Sequence, residues 1–402
     1  MRTRGGTLEA TPFRMTPIAR CSLGLIVCGL LASCSPLRIQ FPLNATDADW
    51  QTEGRSSSRD HVSQDLALQL PLEQAWIYNA GGGFASGSPL VIDDVVIVST
   101  RKGEVHVLSL ENGDRIGVQE FGRSIEGAPS VADQVIFVPN AWGKIALEAF
   151  DLRTGSRKWR YNGVPIEASV LTLKDLVVVG DVEGNVMGLS QETGQVMWLY
   201  EFGDFASVLS SPAAVDDQRV VVADETGRVV LLNAVNGEEI WMRKVDGPVE
   251  EGLSAGSGFV FVPTTRGAFV ALNAEDGAVV WNYRVENREV RFTAAAVTSD
   301  CVIFGGTDGS LRSLLLENGS PLWTFHTDGT IAGAPVVNGN IVFVGAMDEK
   351  IYAVRRDNGM IQWQARLRGR VKSAPAVRNG YLIVLSEPRY VYAFANAANI
   401  QD

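Results

Sequence analysis

The amino-acid sequence predicts an all-β fold in which eight four-stranded sheets surround one axis as the blades of a β-propeller. Two independent sequence markers support this prediction because both repeat with the same period. A glycine closes a tight turn seven times, and in six of these turns a tryptophan follows four residues later. A small residue or proline recurs every 40 to 43 residues. A period near 40 with several short apolar runs per unit is typical of propeller blades.

The two markers cover most of the chain. The Gly/Trp pairs are Gly155/Trp159, Gly194/Trp198, Gly237/Trp241, Gly277/Trp281, Gly319/Trp323 and Gly359/Trp363. The seventh turn glycine, Gly113, is followed by Gly117 instead. The second marker falls at Pro89, Pro129, Ser169, Pro212, Ser254, Ala294, Pro335 and Pro375. A ring of repeats is one domain however long it is, so residues 72–402 are predicted to be a single propeller.

Residues 1–33 are predicted to be the signal peptide of a lipoprotein. Arg14 and Arg20 precede an apolar run over 22–31, and a small-residue pattern leads to Cys34. The run is shorter than the about 20 residues that span a bilayer. The sequence leaves open whether translation starts at Met1 or at Met15.

Cys34 follows Leu-Ala-Ser and so resembles the lipidated cysteine of the bacterial lipoprotein box. Ser35 resembles the residue found after that cysteine in lipoproteins sent to the outer membrane. The resemblance implies a lipid anchor in the outer membrane, on its periplasmic face; an ordinary secretory signal is the alternative. Residues 34–71 lack the repeat and are Ser-rich and charged over 54–60, which predicts a flexible tether.

The repeat that begins at Ala128 shows how one blade is built. Short strands are predicted after the first one over 134–139, 144–151 and 156–161, with polar turns between them. Four strands joined by such short loops form an antiparallel meander. The second strand of each repeat is almost wholly apolar, which indicates cover on both of its faces. Each blade is therefore predicted to lie between two neighbours.

The ring is predicted to be closed by an N-terminal strand. The eighth repeat ends with the strand at 390–395 and lacks a fourth one. Residues 73–78 form a surplus strand that carries Trp76. Pairing the two removes the open edge of the last blade. Seven tryptophans are predicted to connect neighbouring blades, each by donating its indole N–H to a backbone carbonyl. They are Trp76, Trp159, Trp198, Trp241, Trp281, Trp323 and Trp363.

Composition excludes several functions. The formal net charge of the 402 residues is −11, and it becomes −14 without residues 1–33, which argues against nucleic-acid binding. Cys301 is the only thiol after Cys34 and is predicted to be a buried hydrophobe. With three histidines, a catalytic triad or a metal site is not predicted. We expect no catalytic residue, no metal and no cofactor.

One group of loop residues is a candidate binding site. Ionisable side chains just before the innermost strands are expected to border a central funnel: Glu126, Glu167, Glu250, Glu251, Arg291 and Lys372. They predict a mixed-charge ring for a peptide or small ligand; solvated loop ends are the alternative. Trp142 and Phe205 also fall in loops, where large apolar side chains are candidates for partner contacts or for local packing.

The repeat resembles a known family. Residues 149–159 match the Ala-x-Asp-x-x-Thr-Gly-x-x-x-Trp docking motif of propeller repeats of the pyrroloquinoline-quinone (PQQ) type, and the resemblance covers residues 72–398. The resemblance implies a quinone and Ca²⁺ for the PQQ dehydrogenases with this repeat, many of which also place a disulfide between adjacent cysteines against the quinone. This chain has no adjacent cysteines and no calcium-binding loop motif.

With the predicted lipid anchor, the chain resembles the BamB family of outer-membrane protein assembly factors. The resemblance implies a non-enzymatic scaffold, monomeric within a complex, that docks on a barrel-assembly subunit. The Leu/Arg and paired-Asp segment through which that family touches its partner is not found. A PQQ-binding quinoprotein, either a dehydrogenase or a sensor, and a surface lipoprotein that binds a ligand are the alternatives.

Overall fold

The computed structural model describes residues 37–203 and 206–396, which contain 33 β-strands. Two strands precede the first blade: β1 (Val62–Ser63) and β2 (Glu73–Asn79). Blade 1 consists of β3 (Leu90–Ile92), β4 (Val95–Ser99), β5 (Glu104–Ser109) and β6 (Arg115–Glu120). Blade 2 consists of β7 (Ser130–Ala132), β8 (Val135–Pro139), β9 (Ile145–Asp151) and β10 (Ser156–Asn162).

The next four blades repeat this order. Blade 3 consists of β11 (Leu171–Leu173), β12 (Leu176–Gly180), β13 (Asn185–Ser190) and β14 (Val196–Glu201). Blade 4 consists of β15 (Ala213–Asp216), β16 (Arg219–Ala223), β17 (Arg228–Asn233) and β18 (Glu239–Lys244). Blade 5 consists of β19 (Ser254–Gly256), β20 (Phe259–Pro263), β21 (Ala268–Asn273) and β22 (Val279–Arg284). Blade 6 consists of β23 (Phe292–Val297), β24 (Cys301–Gly306), β25 (Ser310–Leu315) and β26 (Pro321–His326).

The last two blades each take a strand from the N-terminal part of the chain. Blade 7 consists of β27 (Val336–Asn338), β28 (Ile341–Ala346), β29 (Lys350–Arg355) and β30 (Ile361–Arg366), with β1 added in parallel to β27. Blade 8 consists of β31 (Ala376–Arg378), β32 (Tyr381–Ser386) and β33 (Tyr390–Ala395), with β2 as its outermost strand. The predicted eight-bladed fold, closed by residues 73–78, is confirmed.

Apolar strands between the blades form the core. The second strand of a blade is buried on both faces, as in β4, where Val95 and Val96 are fully buried. Cys301 is buried in the same way on β24. Burial of each such side chain stabilises the fold by about 1.5 to 3 kcal/mol.

Tryptophan side chains connect neighbouring blades. The indole N–H groups of seven tryptophans each donate to a backbone carbonyl of the next blade or of the ring-closing segment, at 2.7 to 3.1 Å. The pairs are Trp76 to Leu110, Trp159 to Gln191, Trp198 to Ala234, Trp241 to Ala274, Trp281 to Leu316, Trp323 to Arg356 and Trp363 to Leu72. The indole also lies against the turn glycine of that blade, as Trp159 does against Gly194, where a Cβ would lie 2.5 Å from the ring.

The structure corrects the prediction of a flexible tether over 34–71. Residues 37–71, here called the strap, pack against the ring, with Leu37 and Trp50 fully buried. The strap follows the innermost strands from blade to blade. Its backbone hydrogen bonds run to Val91, Val131, Ala214, Ala255, Val297 and Val337, while its side chains reach Val170 and Val377.

Backbone chemistry explains why this polar segment is ordered. The innermost strand of each blade has one edge directed at the axis, and its N–H and C=O groups need partners. The strap supplies them in sequence, so the amide of Val131 donates to Gln51 O at 2.8 Å and that of Val337 to His61 O at 3.0 Å. The Ser-rich composition misled the prediction because these bonds use the backbone of the strap, whatever its side chains.

The meander gives the ring two different faces. Turns after the first and third strand of every blade lie on one face, here called the strap face, because the strap contacts such turns through Asp93, Gln134 and Asn338. Loops after the second and fourth strands lie on the opposite face, here called the funnel face. The loops that carry the candidate binding residues belong to the funnel face.

Candidate functional site

A cavity opens on the funnel face. It has a volume of about 640 Å³ and is bordered by loops of blades 1 to 5. The residues on its wall include Arg123, Glu126, Trp142, Glu167, Glu250 and Glu251. Five of the eight predicted funnel and partner residues therefore lie around one space, which we call the funnel. They converge because each stands in a loop on the same face of its blade.

The funnel narrows toward the strap into a channel of about 50 Å³. Glu167, Glu250 and Glu251 line both spaces, and Glu53 of the strap joins them in the channel. Glu53 pairs with Arg59 at 3.1 Å and accepts a hydrogen bond from the Ser211 hydroxyl at 3.1 Å. Carboxylates therefore line the channel as far as the strap, where Arg59 pairs with the last of them.

Arg59, the partner of Glu53 beside this channel, is fully buried. Its guanidinium donates to the carbonyl oxygens of Glu53 and Val170 at 3.0 and 3.2 Å, and to that of Pro212. A buried guanidinium needs such a set of acceptors and a carboxylate to offset its desolvation. Glu53 and Arg59 thus join the strap to the floor of the funnel.

The carboxyl group of Glu251 is the most perturbed acid of the funnel. Burial in the channel raises its pKa, and the negative charges of Glu53 and Glu250 add to the increase while Arg291 opposes it, giving a pKa of about 7. A carboxyl group in this state takes up or releases a proton near neutral pH. The negative charge of the funnel therefore changes within the physiological range.

The other predicted residues differ in their surroundings. Arg291 pairs with Glu250, and Glu126 pairs with Arg101 at 3.1 Å. Lys372 is partly buried and is not part of the wall of either the funnel or the channel. Trp142, in the loop between β8 and β9, leaves 65% of its surface exposed at the mouth. Phe205 and Cys34 lie outside the described residues.

Sequence reasoning missed Glu53, Arg59 and Arg123. Glu53 and Arg59 lie in the segment predicted to be a tether, and a Glu and an Arg six residues apart in a Ser-rich stretch form no recognisable motif. Arg123 stands three residues before Glu126 in the same loop, so its position in the repeat was the signal that would have found it.

The donor groups of the funnel do not suit a quinone. Pyrroloquinoline quinone carries three carboxylates, whereas the funnel and channel are lined by five carboxyl groups and one guanidinium, that of Arg123. The carboxyl groups are those of Glu53, Glu126, Glu167, Glu250 and Glu251. Like charges at short distance in a partly buried site are unfavourable. Within 37–203 and 206–396, no three His, Cys, Asp or Glu side chains are arranged to hold a metal ion. In that same part of the chain, no helix has the length and apolar character to cross a membrane.

Known proteins share this architecture at modest identity. BamB of Yersinia pestis is 28% identical over 158 residues, which is 37% of this chain and 40% of that protein. The chain spans less than two thirds of the length of the first curated relatives that it matches. The crystal structure of BamB from Moraxella catarrhalis superposes with a TM-score of 0.69 at 21% identity, covering 81% of this chain and 100% of that one.

An enzyme of the same repeat type is also similar in fold. The quinohemoprotein alcohol dehydrogenase of Comamonas testosteroni gives a TM-score of 0.73 at 15% identity over 88% of this chain and 81% of that one. Identity this low shows the fold alone.

The indole contacts and the closed ring define a β-propeller of PQQ-type repeats with an acidic funnel. A family model described as outer membrane protein assembly factor BamB matches residues 69–208, 183–330 and 317–400. The chain therefore belongs to the BamB family.

Proposed function

We propose that the protein is a non-enzymatic lipoprotein scaffold of the outer membrane that supports the assembly of β-barrel proteins through protein contacts. The observation that carries this proposal is the funnel, which combines an exposed indole at its mouth with converging carboxylates. Exposed aromatic side chains on loops are frequent anchors of protein interfaces. Membership of the BamB family supports the assembly role, since the relatives carry that name.

The chemistry of the funnel selects the kind of segment that docks there. Glu126, Glu167 and Glu250 attract a segment that carries lysine or arginine side chains, and Trp142 offers a surface for their apolar stems or for an aromatic ring. We propose that this segment belongs to a barrel-assembly subunit and that the protein acts as a monomer within that complex. No cofactor takes part in this role.

The anchor completes the proposal. Lipidation of Cys34 keeps the protein at the periplasmic face of the outer membrane. Several acyl chains on one cysteine give stable attachment, because each buried CH₂ contributes about 0.8 kcal/mol.

Affinity capture tests the scaffold role. Tagged full-length protein is purified from detergent-solubilised membranes as the wild type, as Trp142→Ala with Glu250→Gln, and as the matched control Met197→Ala, whose side chain is 61% exposed on β14. We expect the wild type and the control to recover a barrel-assembly subunit and the funnel variant to recover at least tenfold less. Recovery of no such subunit by the wild type, or equal recovery by all three, would contradict the proposal.

A quinone titration tests the enzyme alternative, which the similarity to a quinohemoprotein dehydrogenase favours. Pyrroloquinoline quinone and Ca²⁺ are added to the purified protein while absorbance and dye-linked alcohol oxidation are recorded. We expect no saturable change, because the carboxylates of the funnel repel the three carboxylates of the quinone. Saturable binding with alcohol oxidation would overturn the non-enzymatic assignment.

A further inference from the structure

We propose that the strap-face corner of blade 2 rests on the membrane, where a cluster of basic side chains binds anionic phospholipid headgroups. This inference rests on the lipidation of Cys34 that forms part of the proposed function. The basic corner is defined by the exposed residues Arg38, Arg153, Arg157, Lys158 and Arg160. It fixes the orientation of the propeller, with the funnel face directed away from the bilayer.

The first described residues of the strap are pinned to this corner. Leu37 is fully buried, and the amide of Ile39 donates to Leu152 O at 2.7 Å. The guanidinium of Arg38 donates to Arg153 O at 3.2 Å, in the turn between β9 and β10. A Cβ built on Gly155 of that turn would lie 3.3 Å from the Cβ of Arg38. The chain therefore approaches the ring at this turn, on the strap face.

A second contact holds the strap a few residues further on. The side-chain amide of Gln134 donates to Leu43 O at 2.6 Å, while its oxygen accepts from the Leu43 amide at 2.8 Å. Gln134 lies in the turn between β7 and β8, which is also on the strap face of blade 2. Two turns of one blade thus bind the strap between Arg38 and Leu43, which holds this part of the strap on the strap face of blade 2.

The length of chain between the lipid and this corner is short. Cys34 is three residues from Leu37, and three residues span at most about 11 Å even when fully extended. An acyl group on Cys34 inserted in the bilayer therefore keeps Leu37, which lies against the turn that carries Arg153, within about that distance of the acylated residue. A longer mobile tether would leave the propeller free to turn, but the strap is packed from residue 37 onward.

The charge of the corner complements an anionic surface. The outermost strand of blade 2, β10, carries Arg157, Lys158 and Arg160 and contains no acidic residue. Two carboxylates lie among the five basic side chains of the corner: Asp151 in the turn, and Glu148, which is 1% exposed and pairs with Arg157 and Arg160. The five positive and two negative charges leave the corner a net charge of +3. The chain as a whole has a net charge of −11, so this corner differs in sign from the average surface. Lys and Arg side chains close to an anionic membrane are attracted by its negative surface potential.

Fluorescence quenching in vesicles tests the orientation. Full-length lipidated protein is labelled at Thr154→Cys, in the strap-face turn of blade 2, or at Lys144→Cys, on the funnel face of the same blade; Cys301 is buried. The vesicles contain phosphatidylethanolamine, phosphatidylglycerol and a headgroup spin-labelled lipid. We expect the label at position 154 to be quenched at least threefold more than the label at 144. Equal quenching, stronger quenching at 144, or no binding to the vesicles would overturn the inference.

Charge reversal tests the headgroup contact itself. In the Thr154→Cys protein, Arg153→Glu with Lys158→Glu is expected to lower the quenching at least twofold, and so are vesicles of phosphatidylcholine alone. Lys244→Glu on blade 4 is the matched control and is expected to leave it unchanged. Quenching that survives both the double reversal and the neutral lipid would overturn the role of the basic corner.

Two further readouts separate this inference from the proposed function. Mass spectrometry of the same protein reports whether Cys34 is acylated, and capture of a barrel-assembly subunit reports the scaffold role. If an acylated protein captures the subunit but is quenched equally at both positions, only the orientation fails. If the strap side is quenched selectively but no subunit is captured, the scaffold role fails and the orientation stands.

Discussion

The backbone amide of Ile39 donates to the carbonyl of Leu152 at the junction between blades 1 and 2. At seven other junctions a carbonyl in the equivalent role accepts from an indole N–H. In blade 1, Gly117 of β6 pairs with Val107, and in blade 2, Trp159 of β10 pairs with Ala149 in the same register. Blade 1 therefore has a glycine at the position where the other blades have a tryptophan. The strap fills the gap with Leu37 and with the Ile39 amide.

This substitution predicts that the strap contributes to the stability of the ring. Leu37→Ala is expected to lower the free energy of unfolding by about 2 to 5 kcal/mol, because it empties a fully buried site. Arg38→Ala is the control and is expected to change it by less than about 0.5 kcal/mol, since that side chain is exposed. Denaturant unfolding measures both values. Equal stability of the two variants would show that the strap does not replace an indole.

The indole contacts predict a second pair of variants. Trp241→Phe keeps an aromatic ring at the junction of blades 4 and 5 but removes the donor to Ala274 O, now at 3.1 Å. Trp241→Phe is expected to lower the free energy of unfolding by about 1 to 3 kcal/mol, because the carbonyl of Ala274 remains buried without a partner. Trp142→Phe, at an exposed position, should stay within about 0.5 kcal/mol of the wild type in the same thermal or denaturant melt. A larger loss of stability for Trp142→Phe than for Trp241→Phe would contradict the role assigned to the indole hydrogen bond.

His61 predicts that the strap is sensitive to acid. Burial, together with the nearby positive charges of Arg59 and Arg55, lowers the pKa of this imidazole to about 3. The unfolded chain binds a proton near pH 6.5 while the folded chain does not, so stability falls as the pH falls below that value. Between pH 7.5 and pH 5, the titration of His61 is expected to lower the free energy of unfolding by about 2 kcal/mol.

Hydrogen exchange of the strap amides and denaturant unfolding at several pH values check this prediction. His61→Gln removes the titrating group, so it should lose less stability than the wild type between pH 7.5 and 5. A wild type and a variant with the same pH dependence would contradict the role assigned to His61.

Glu251 predicts a pH effect of the opposite sign. Burial and neighbouring carboxylates raise its pKa to about 7, so the unfolded chain releases this proton at lower pH than the folded chain. The penalty for ionising Glu251 grows as the pH rises from about 4.5 to 7 and is complete above that range. Glu251→Gln is therefore expected to be about 3 kcal/mol more stable than the wild type at pH 8, with the difference shrinking toward pH 5.

The matched control for this variant is Glu126→Gln, which removes a carboxylate at the open mouth of the funnel. Its pair with Arg101 is solvent-accessible, so the variant should differ from the wild type by less than about 1 kcal/mol at either pH. Melting curves at pH 5 and pH 8 suffice. A Glu251→Gln variant that is no more stable than the wild type at pH 8 would contradict the environment described for this carboxyl group.

The ring was predictable because each of its repeats carries its own signals. Turn glycines, the apolar second strand and the spacing of Trp159 or Trp198 are local features, and the surplus strand before blade 1 follows from counting strands. The positions of Glu126, Glu167 and Glu250 before the innermost strands were enough to place them together, since equivalent loops of a ring share a face.

The strap was not predictable in the same way. Its apolar residues, such as Leu37, Leu43 and Trp50, have no period. Its stability depends on backbone groups of blades that lie up to 327 residues away in the sequence. Glu53 reaches the channel, with Arg59 beside it, only because the strap does. Burial raises the pKa of Glu251 and the charge of Glu53 adds to the increase, but no spacing in the repeats places Glu53 beside it.

Photo-crosslinking tests most directly whether the funnel face is the surface that docks a partner. A photoreactive amino acid replaces Trp142 at the mouth of the funnel or, as the control, Val235, which is 70% exposed in a strap-face turn of blade 4. Irradiation of whole cells is expected to join position 142, and not position 235, to a barrel-assembly subunit. An adduct with that subunit from position 235 alone, or none from position 142, would contradict the account.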